Sequence, residues 1–513
     1  MKFTGDITSS PFDPWILLIV GEKITFPNAG ASIQERISSQ IRKIHHGFKL
    51  NIMRRISFKL SLRLCAVLVS ISAQELYSQV EGAPSSSAEE PAPANLHYIE
   101  VPVPIESGID PQFPELPPKV EEFDPEDDPD FIDRMNSIRE YSENVDSLEG
   151  FGGVWDSGLT EQLASIGGLE QQQGNHIGAI EAFDRAVHIN RISNGLYTLD
   201  QIPMVEEMVE SYLALGDWEN TDLYNNYLFF VQQKAYGTND PRIIPVLDRL
   251  ASWNMQAFNL GYGAALGVRL SSAQMLFSTA VRMVEVHFGR DDERFTRYLR
   301  NLAISAYQVS RYPHYTMEVD RPEYRNDQEV LRQKLNERKS IFPQGYNIGV
   351  VALQNIISYQ STKPYNTYEI AEAITHLADW FLMFDRRRTA DDFYLQAWEL
   401  LASEENGDEL IKKLFGQVVV LPTFIEDPRN LKMSSGDAKS RNTLSHAYAD
   451  ISLDVTEAGS PRNIEILSEE TEENAYRLSQ LRREIRASTF RPMLVEGKLE
   501  RTDGQLFRYR YWY

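Results

Sequence analysis

Residues 160–187 read TEQLASIGGLEQQQGNHIGAIEAFDRAV, and two amphipathic runs meet within them. Leu163, Ile166 and Gly167 fall at the three-and-four spacing of one helix face, and Ala179, Phe183 and Ala186 repeat it beyond Gly174. Small residues let two helices touch, and one large ring fills the hole beside them.

The small, large, small set returns as Ala273, Phe277, Ala280 and as Ala390, Tyr394, Ala397. The helix before the last set carries Ile374, Leu377, Ala378 and Phe381. A further unit at 205–228 keeps Tyr212 and Gly216 but is one residue short where its second helix begins. A second echo links KAYGTNDPRIIPVLDRLASW at 234–253 with VHFGRDDERFTRYLRNLAISAY at 286–307; its glycines, Gly237 and Gly289, lie 52 residues apart. These units resemble the tetratricopeptide repeat, a helix pair of about 34 residues. The resemblance implies a mainly α fold, a helical-repeat solenoid over residues 131–425, with an insert from Arg311 breaking the period.

After a polar linker at 426–446 the period changes to two. YADISLDV places Ile451, Leu453 and Val455 on one side of a strand; NIEIL is a second strand, TEENAYRLSQLRREIRAS a helix, and the remainder two extended segments. Thr502-Asp503-Gly504 is the expected hairpin turn between those segments. In the closing FRYRYWY, Phe507, Tyr509, Tyr511 and Tyr513 share the face expected to pack on the helix, and Arg508, Arg510 and Trp512 share a partly wet face. This small α+β order of strand, strand, helix and strand over 447–513 resembles the C-terminal domain of TonB. The resemblance is carried by the first strand, Gly459, Ile464, Ile466, Leu481, Ile485, Phe490-Arg491-Pro492 and Gly497. It implies a docking domain at the cell envelope of a Gram-negative bacterium. Its last strand, with Arg508, Arg510 and Trp512, is a candidate edge for strand addition by a partner.

Acidic residues outnumber basic ones 74 to 51, for a net charge of -23, which argues against nucleic acid as a partner. Residues 53–73, MRRISFKLSLRLCAVLVSISA, run basic, apolar, then small, the order of a cleaved signal peptide. The apolar core is shorter than the ~20 residues needed to span a bilayer, so no stable membrane span is expected after cleavage. The expected location is the periplasm, with residues 1–52 unstructured or upstream of the true start at Met53. The single cysteine, Cys65, lies inside this leader. Residues 74–130 are rich in Pro, Glu, Asp and Ser and read as a disordered linker. Their acidic cluster at 124–130 lacks the central Gly and terminal Glu of a calcium loop.

The nine histidines are scattered, and no thiolate cluster, hydrolase elbow or phosphate loop is present, so no metal, cofactor or catalytic residue is assigned. His376 reads as a hydrogen-bonded helix residue rather than a ligand. Gly261-Tyr262-Gly263-Ala264-Ala265-Leu266-Gly267 imitates a dinucleotide loop, but it falls between two helices of a repeat and not after a strand. The reading is an exported, noncatalytic scaffold for protein or peptide partners, envelope proteins among the candidates. Glu206, Glu210, Glu372 and Asp379 are expected on the groove formed by the first helices. The alternative is a periplasmic enzyme, or enzyme subunit, with carboxylates converging in the repeat region.

Overall fold

The computed structural model describes residues 96–105, 111, 113, 129–335, 345–364, 366–423, 429–430 and 444–513. All of these belong to one compact unit, 91–513. The expected leader and the residues before it lie outside the described residues.

Helix α1 (Phe131–Gly152) precedes a series of helix pairs. The first is α2 (Leu159–Gln172) with α3 (His176–Asn194), and the second α4 (Ile202–Leu215) with α5 (Trp218–Tyr236). The third is α6 (Ile244–Asn259) with α7 (Leu266–Phe288). Next come α8 (Glu293–Arg311), the short insert helices α9 (Tyr315–Val319) and α10 (Pro322–Lys334), and α11 (Gly345–Ser361), which pairs with α8. The last pair is α12 (Thr367–Met383) with α13 (Arg387–Ala402), followed by α14 (Gly407–Phe415). Each first helix packs on its own partner and on the second helix of the preceding pair, so the described pairs form one continuous tetratricopeptide-like stack.

The small, large, small sets make these contacts. Ala179, Phe183 and Ala186 are buried, as are the sets centred on Phe277 and Tyr394. A Cβ placed on Gly167 would come within 2.8 Å of the Phe183 ring, which is why glycine faces it. In the fourth pair Gly349 plays the same part against Trp380, where a Cβ would lie 2.1 Å from the indole. Gly349→Ala is therefore expected to lower stability by about 2 kcal/mol, overpacking outweighing alanine's better helix propensity. Thermal unfolding monitored by circular dichroism measures this, and an unchanged melting temperature would mean that Trp380 has room to move.

The repeat is longer than 34 residues. Gly153, Gly195 and Gly237, which follow α1, α3 and α5 with φ of 83°, 98° and 86°, fall at intervals of 42 (153 to 195, 195 to 237). The 19-residue second helices and the connectors after them account for the extra length. The residue missing from the second unit lies in the turn: Gln173-Gly174-Asn175 joins the first pair, whereas Gly216-Asp217 joins the second. Asn175 and Asp217 each cap their following helix by accepting a backbone N–H. The echo after Gly237 and Gly289 is a shared connector. Asp240 accepts the Arg242 backbone N–H and holds its guanidinium at 2.9 and 2.8 Å, and Arg242 lies over the Tyr236 ring. Asp292, Arg294 and Phe288 repeat the arrangement. Both carboxyls are held below the usual range, chiefly by the arginine hydrogen bonds.

The insert covers α7 from one side. Glu318 accepts the Gly267 N–H at 2.6 Å, Ser271 donates to Gln328 at 2.6 Å, and Gln233 on α5 donates to the Lys334 carbonyl. The insert thus lies along second helices, and the glycine-rich run is an interhelix turn leading into α7, whose second residue, Gly267, is closely approached by Tyr315.

Ten strands complete the described chain: β1 (Tyr98–Ile99), β2 (Val103–Pro104), β3 (Val419–Leu421), β4 (Arg429–Asn430), β5 (His446–Val455), β6 (Pro461–Ile466), β7 (Thr489–Arg491), β8 (Leu494–Val495), β9 (Lys498–Leu499) and β10 (Thr502–Trp512). Helix α15 (Ala475–Ala487) lies between β6 and β7. The main sheet has the order β4-β1-β10-β5-β6, with β2 also on β10. Phe507, Tyr509 and Tyr511 share a buried cluster with Leu478, Leu481 and Ile485 of α15, matching the expected alternation.

Three expectations need correcting. The hairpin turn is Glu496-Gly497, joining β8 and β9 with φ of 50° and 76°; Asp503-Gly504 instead sits at a register shift within β10, where the Gly504 N–H donates to Asp454. Within the segment read as a disordered linker, β1 and β2 pair with β10, and Leu96, Tyr98 and Ile99 are buried there. Nor is the C-terminal module a separate bead. β3 follows α14 and pairs with β7, Leu494 and Leu499 enter the core of the helix stack, and Gly497 abuts Leu395 and Trp398.

Candidate functional site

Consecutive first helices carry a row of polar side chains joined from helix to helix. On α2, Gln171 donates to the Glu207 carbonyl and to Ser211 Oγ of α4. Glu206 of α4 forms an ion pair with Arg249 of α6. Asp248 of α6 pairs with Arg297 of α8 at 2.6 Å and accepts from Asn301. Partial burial pushes the Asp248 carboxyl up, and Arg297 opposes the shift. Glu210 lies close enough to this row to feel Arg249, Glu207 and Glu206; burial is the main cause of its raised pKa.

Further along, Arg300 of α8 faces His376 of α12. Burial first, then Arg491 and Arg300, pull the His376 imidazole down to about 3, so it is neutral at physiological pH. Glu372 lies one turn before His376 and is close enough to raise the Tyr368 phenol, although burial is the larger cause. Lys413 of α14 sits 3.9 Å above the Tyr368 ring. The row therefore mixes both signs, acidic toward Glu206 and Glu210 and basic toward Arg297 and Arg300. Among the described residues, no group of three or more His, Cys, Asp or Glu is placed to hold a metal ion.

Glu206, Glu210 and Glu372 belong to this face, but Asp379 does not. It is fully buried, and its two oxygens are spent inside the molecule. Tyr394 donates to Oδ1 at 2.6 Å, Arg491 Nη1 pairs with Oδ2 at 3.1 Å, and Arg491 Nη2 reaches the Leu414 carbonyl at 3.4 Å. Burial pushes the Asp379 carboxyl up, and Arg491 and the two hydroxyls of Tyr394 and Thr423 pull it back. Helical spacing places Asp379 in line with Glu372 and His376, but the last turn of α12 lies beneath the C-terminal module. Arg491 is the middle residue of Phe490-Arg491-Pro492, so this tripeptide, conspicuous in the sequence, is the plug that joins the module to the stack.

The second expected site is also occupied. Arg508 makes a two-pronged pair with Asp450 at 2.7 and 3.0 Å. Arg510 pairs with Glu100 and lies between the rings of Phe113 and Trp512, at 4.7 and 5.4 Å. Trp512 is buried with Tyr98 and Leu444. On the face expected to stay partly wet, Arg508 remains partly exposed, whereas Arg510 and Trp512 are covered by this chain's own residues.

No family model matches the chain, and no curated protein is a significant match. Among solved structures it is similar to BtubC (BKLC) from P. vanneervenii, at 11% identity over 53% of this chain and 91% of that one, with a TM-score of 0.30. It is also similar to a Podosopora anserina protein of the kinesin light chain type with nearly identical TPR-like repeats, at 14% identity over 47% and 94% of the two chains and a TM-score of 0.31. Scores at this level add nothing to the helix pairs described above, on which the tetratricopeptide-like assignment rests.

Proposed function

We propose that this chain is a noncatalytic interaction scaffold whose first-helix face binds an extended segment or helix of a protein partner. The observation that carries the reading is the disposition of the insert: α9 and α10 cover second helices, and the polar row from Gln171 to His376 is left along first helices. Stacked helix pairs offer such faces to peptides. The two signs along the row favour a partner with its own charges in complementary order. Export by residues 53–73 and work at the cell envelope belong to the same proposal. So does a TonB-like C-terminal module, supported by the order β5, β6, α15, β10; in this chain that module also closes the end of the repeat stack.

Pull-down with a Glu210→Lys, Arg300→Glu protein tests the binding face. Partners recovered by the unaltered protein are expected to be lost while the circular dichroism spectrum is unchanged, and recovery of the same partners would sink the reading. The surface pair Glu206 and Arg249 is worth under about 1 kcal/mol to stability, so Glu206→Gln should leave the melting temperature within a few degrees while weakening binding. For export, a phosphatase reporter fused after Gly82 should be active only outside the cytoplasm; activity that does not depend on residues 53–73 would reject it.

A further inference from the structure

Residues 96–105 lie along β10 on the side away from β5, with Tyr98–Ile99 held between β10 and β4, although they enter the chain about 400 residues earlier. Their packing has the form of a bound peptide. Leu96 and Ile99 are buried in the apolar cluster beneath the sheet, Tyr98 packs with Trp512 and Leu444, and Glu100 meets Arg510. The backbone adds His97 N–H to Trp512 O at 2.8 Å, Glu100 N–H to Arg510 O at 2.9 Å and Ile105 N–H to Leu506 O at 2.9 Å. Gln480 of α15 accepts the Leu96 N–H at 2.9 Å. Phe113, further along, closes over the Arg510 guanidinium.

The fit is nonetheless broken. Two-residue ladders at Tyr98–Ile99 and Val103–Pro104 flank an interruption, and Pro102 and Pro104 have no N–H to donate. A continuous strand without prolines would satisfy more of the edge. Between this segment and α1 lie residues 106–130, with prolines at 111, 114, 117, 118, 125 and 129. Such a tether gives its strand an effective concentration of about 1 mM at the edge.

We propose that the β10 edge is a selective strand-docking site and that residues 96–105 are its tethered occupant, a self-ligand that holds the site closed. The ligand it reads is an extended segment of the pattern apolar, any, aromatic, apolar, acidic. The apolar positions enter the sheet core, the aromatic one stacks beside Trp512, and the acid pairs with Arg510. An incoming segment of this kind must outcompete the tether, so occupancy from outside rises when the tether is cut.

The test uses the full chain with a protease site introduced after Lys119. A fluorescent peptide of residues 96–113 is offered before and after cleavage. The uncut protein should take up little peptide at micromolar concentration. The cut protein should release its resident fragment and take up roughly ten times more or better, with the amides between β5 and β6 keeping their protection from hydrogen exchange. Selectivity is read from Arg510→Glu, which should refuse the native peptide and accept one carrying Glu100→Arg. A resident fragment that never exchanges after cleavage would make the segment an integral strand and overturn the proposal. Equal uptake by cut and uncut protein, or no charge-swap preference, would overturn it as well.

Discussion

Arg491→Met is expected to destabilise the protein by about 3–5 kcal/mol, because it leaves the Asp379 carboxylate buried with no counter-charge. Asp379 has no solvent contact, and the Tyr394 hydroxyl cannot replace a cation. The loss should depend on pH in a definite direction. Without Arg491, only the Tyr394 and Thr423 hydroxyls oppose burial, and the folded-state pKa of Asp379 rises further above its unfolded value. The penalty is then full above that raised pKa and vanishes as pH falls below the unfolded value, where both states carry the proton. Urea unfolding of the two proteins between pH 8 and pH 4 should show the gap closing as the solution is acidified. A double variant, Asp379→Leu with Arg491→Met, should recover most of the loss, since a buried pair can be exchanged for apolar groups more cheaply than it can be halved. A constant gap across the pH range would mean that Asp379 is not the group left stranded.

That ion pair also marks the limit of sequence reading in this fold. Ala179, Phe183 and Ala186 are legible because their contact is local: a helix, a turn and the next helix lie within one stretch of chain. The short turn at Gly216-Asp217 shows as a missing residue for the same reason. The 42-residue interval of Gly153, Gly195 and Gly237 is also present in the sequence, but it is not the period that a tetratricopeptide resemblance leads one to expect. Asp379 is misplaced by its spacing because helical periodicity gives the angle of a side chain and not what lies above it; the cover is Arg491, 112 residues away. The Asp503-Gly504 pair signals a tight backbone, which the structure uses within a strand rather than between two. Glu206, Glu210 and Glu372 follow from the repeat register alone, whereas Arg249 and Arg300, which share their face, lack any pattern of their own.

The strand pairing of residues 96–105 is the least legible feature, and removing those residues carries the second large effect. A protein beginning at residue 106 loses the burial of Leu96, Tyr98 and Ile99. At about 1.5–3 kcal/mol for each fully buried side chain, the loss is about 5–9 kcal/mol as an upper estimate, because the unfolded chain already hides some of that surface. The damage should be local. β10 keeps β5 on its other side, so the sheet need not unravel, but Trp512 and Tyr511 lose their cover. Amide exchange along β10 should therefore accelerate strongly from Arg510 to Trp512, while amides of α2 to α8 keep their protection. The helical circular dichroism should hold, since the helix stack owes little to this segment, and a first, low-temperature transition should separate from the main one. Adding the peptide of residues 96–113 should merge the two transitions again in proportion to its concentration, because a ligand that binds only the folded sheet stabilises it by mass action. If truncation left β10 exchange unchanged, the pairing of Tyr98 with Trp512 would not exist in solution.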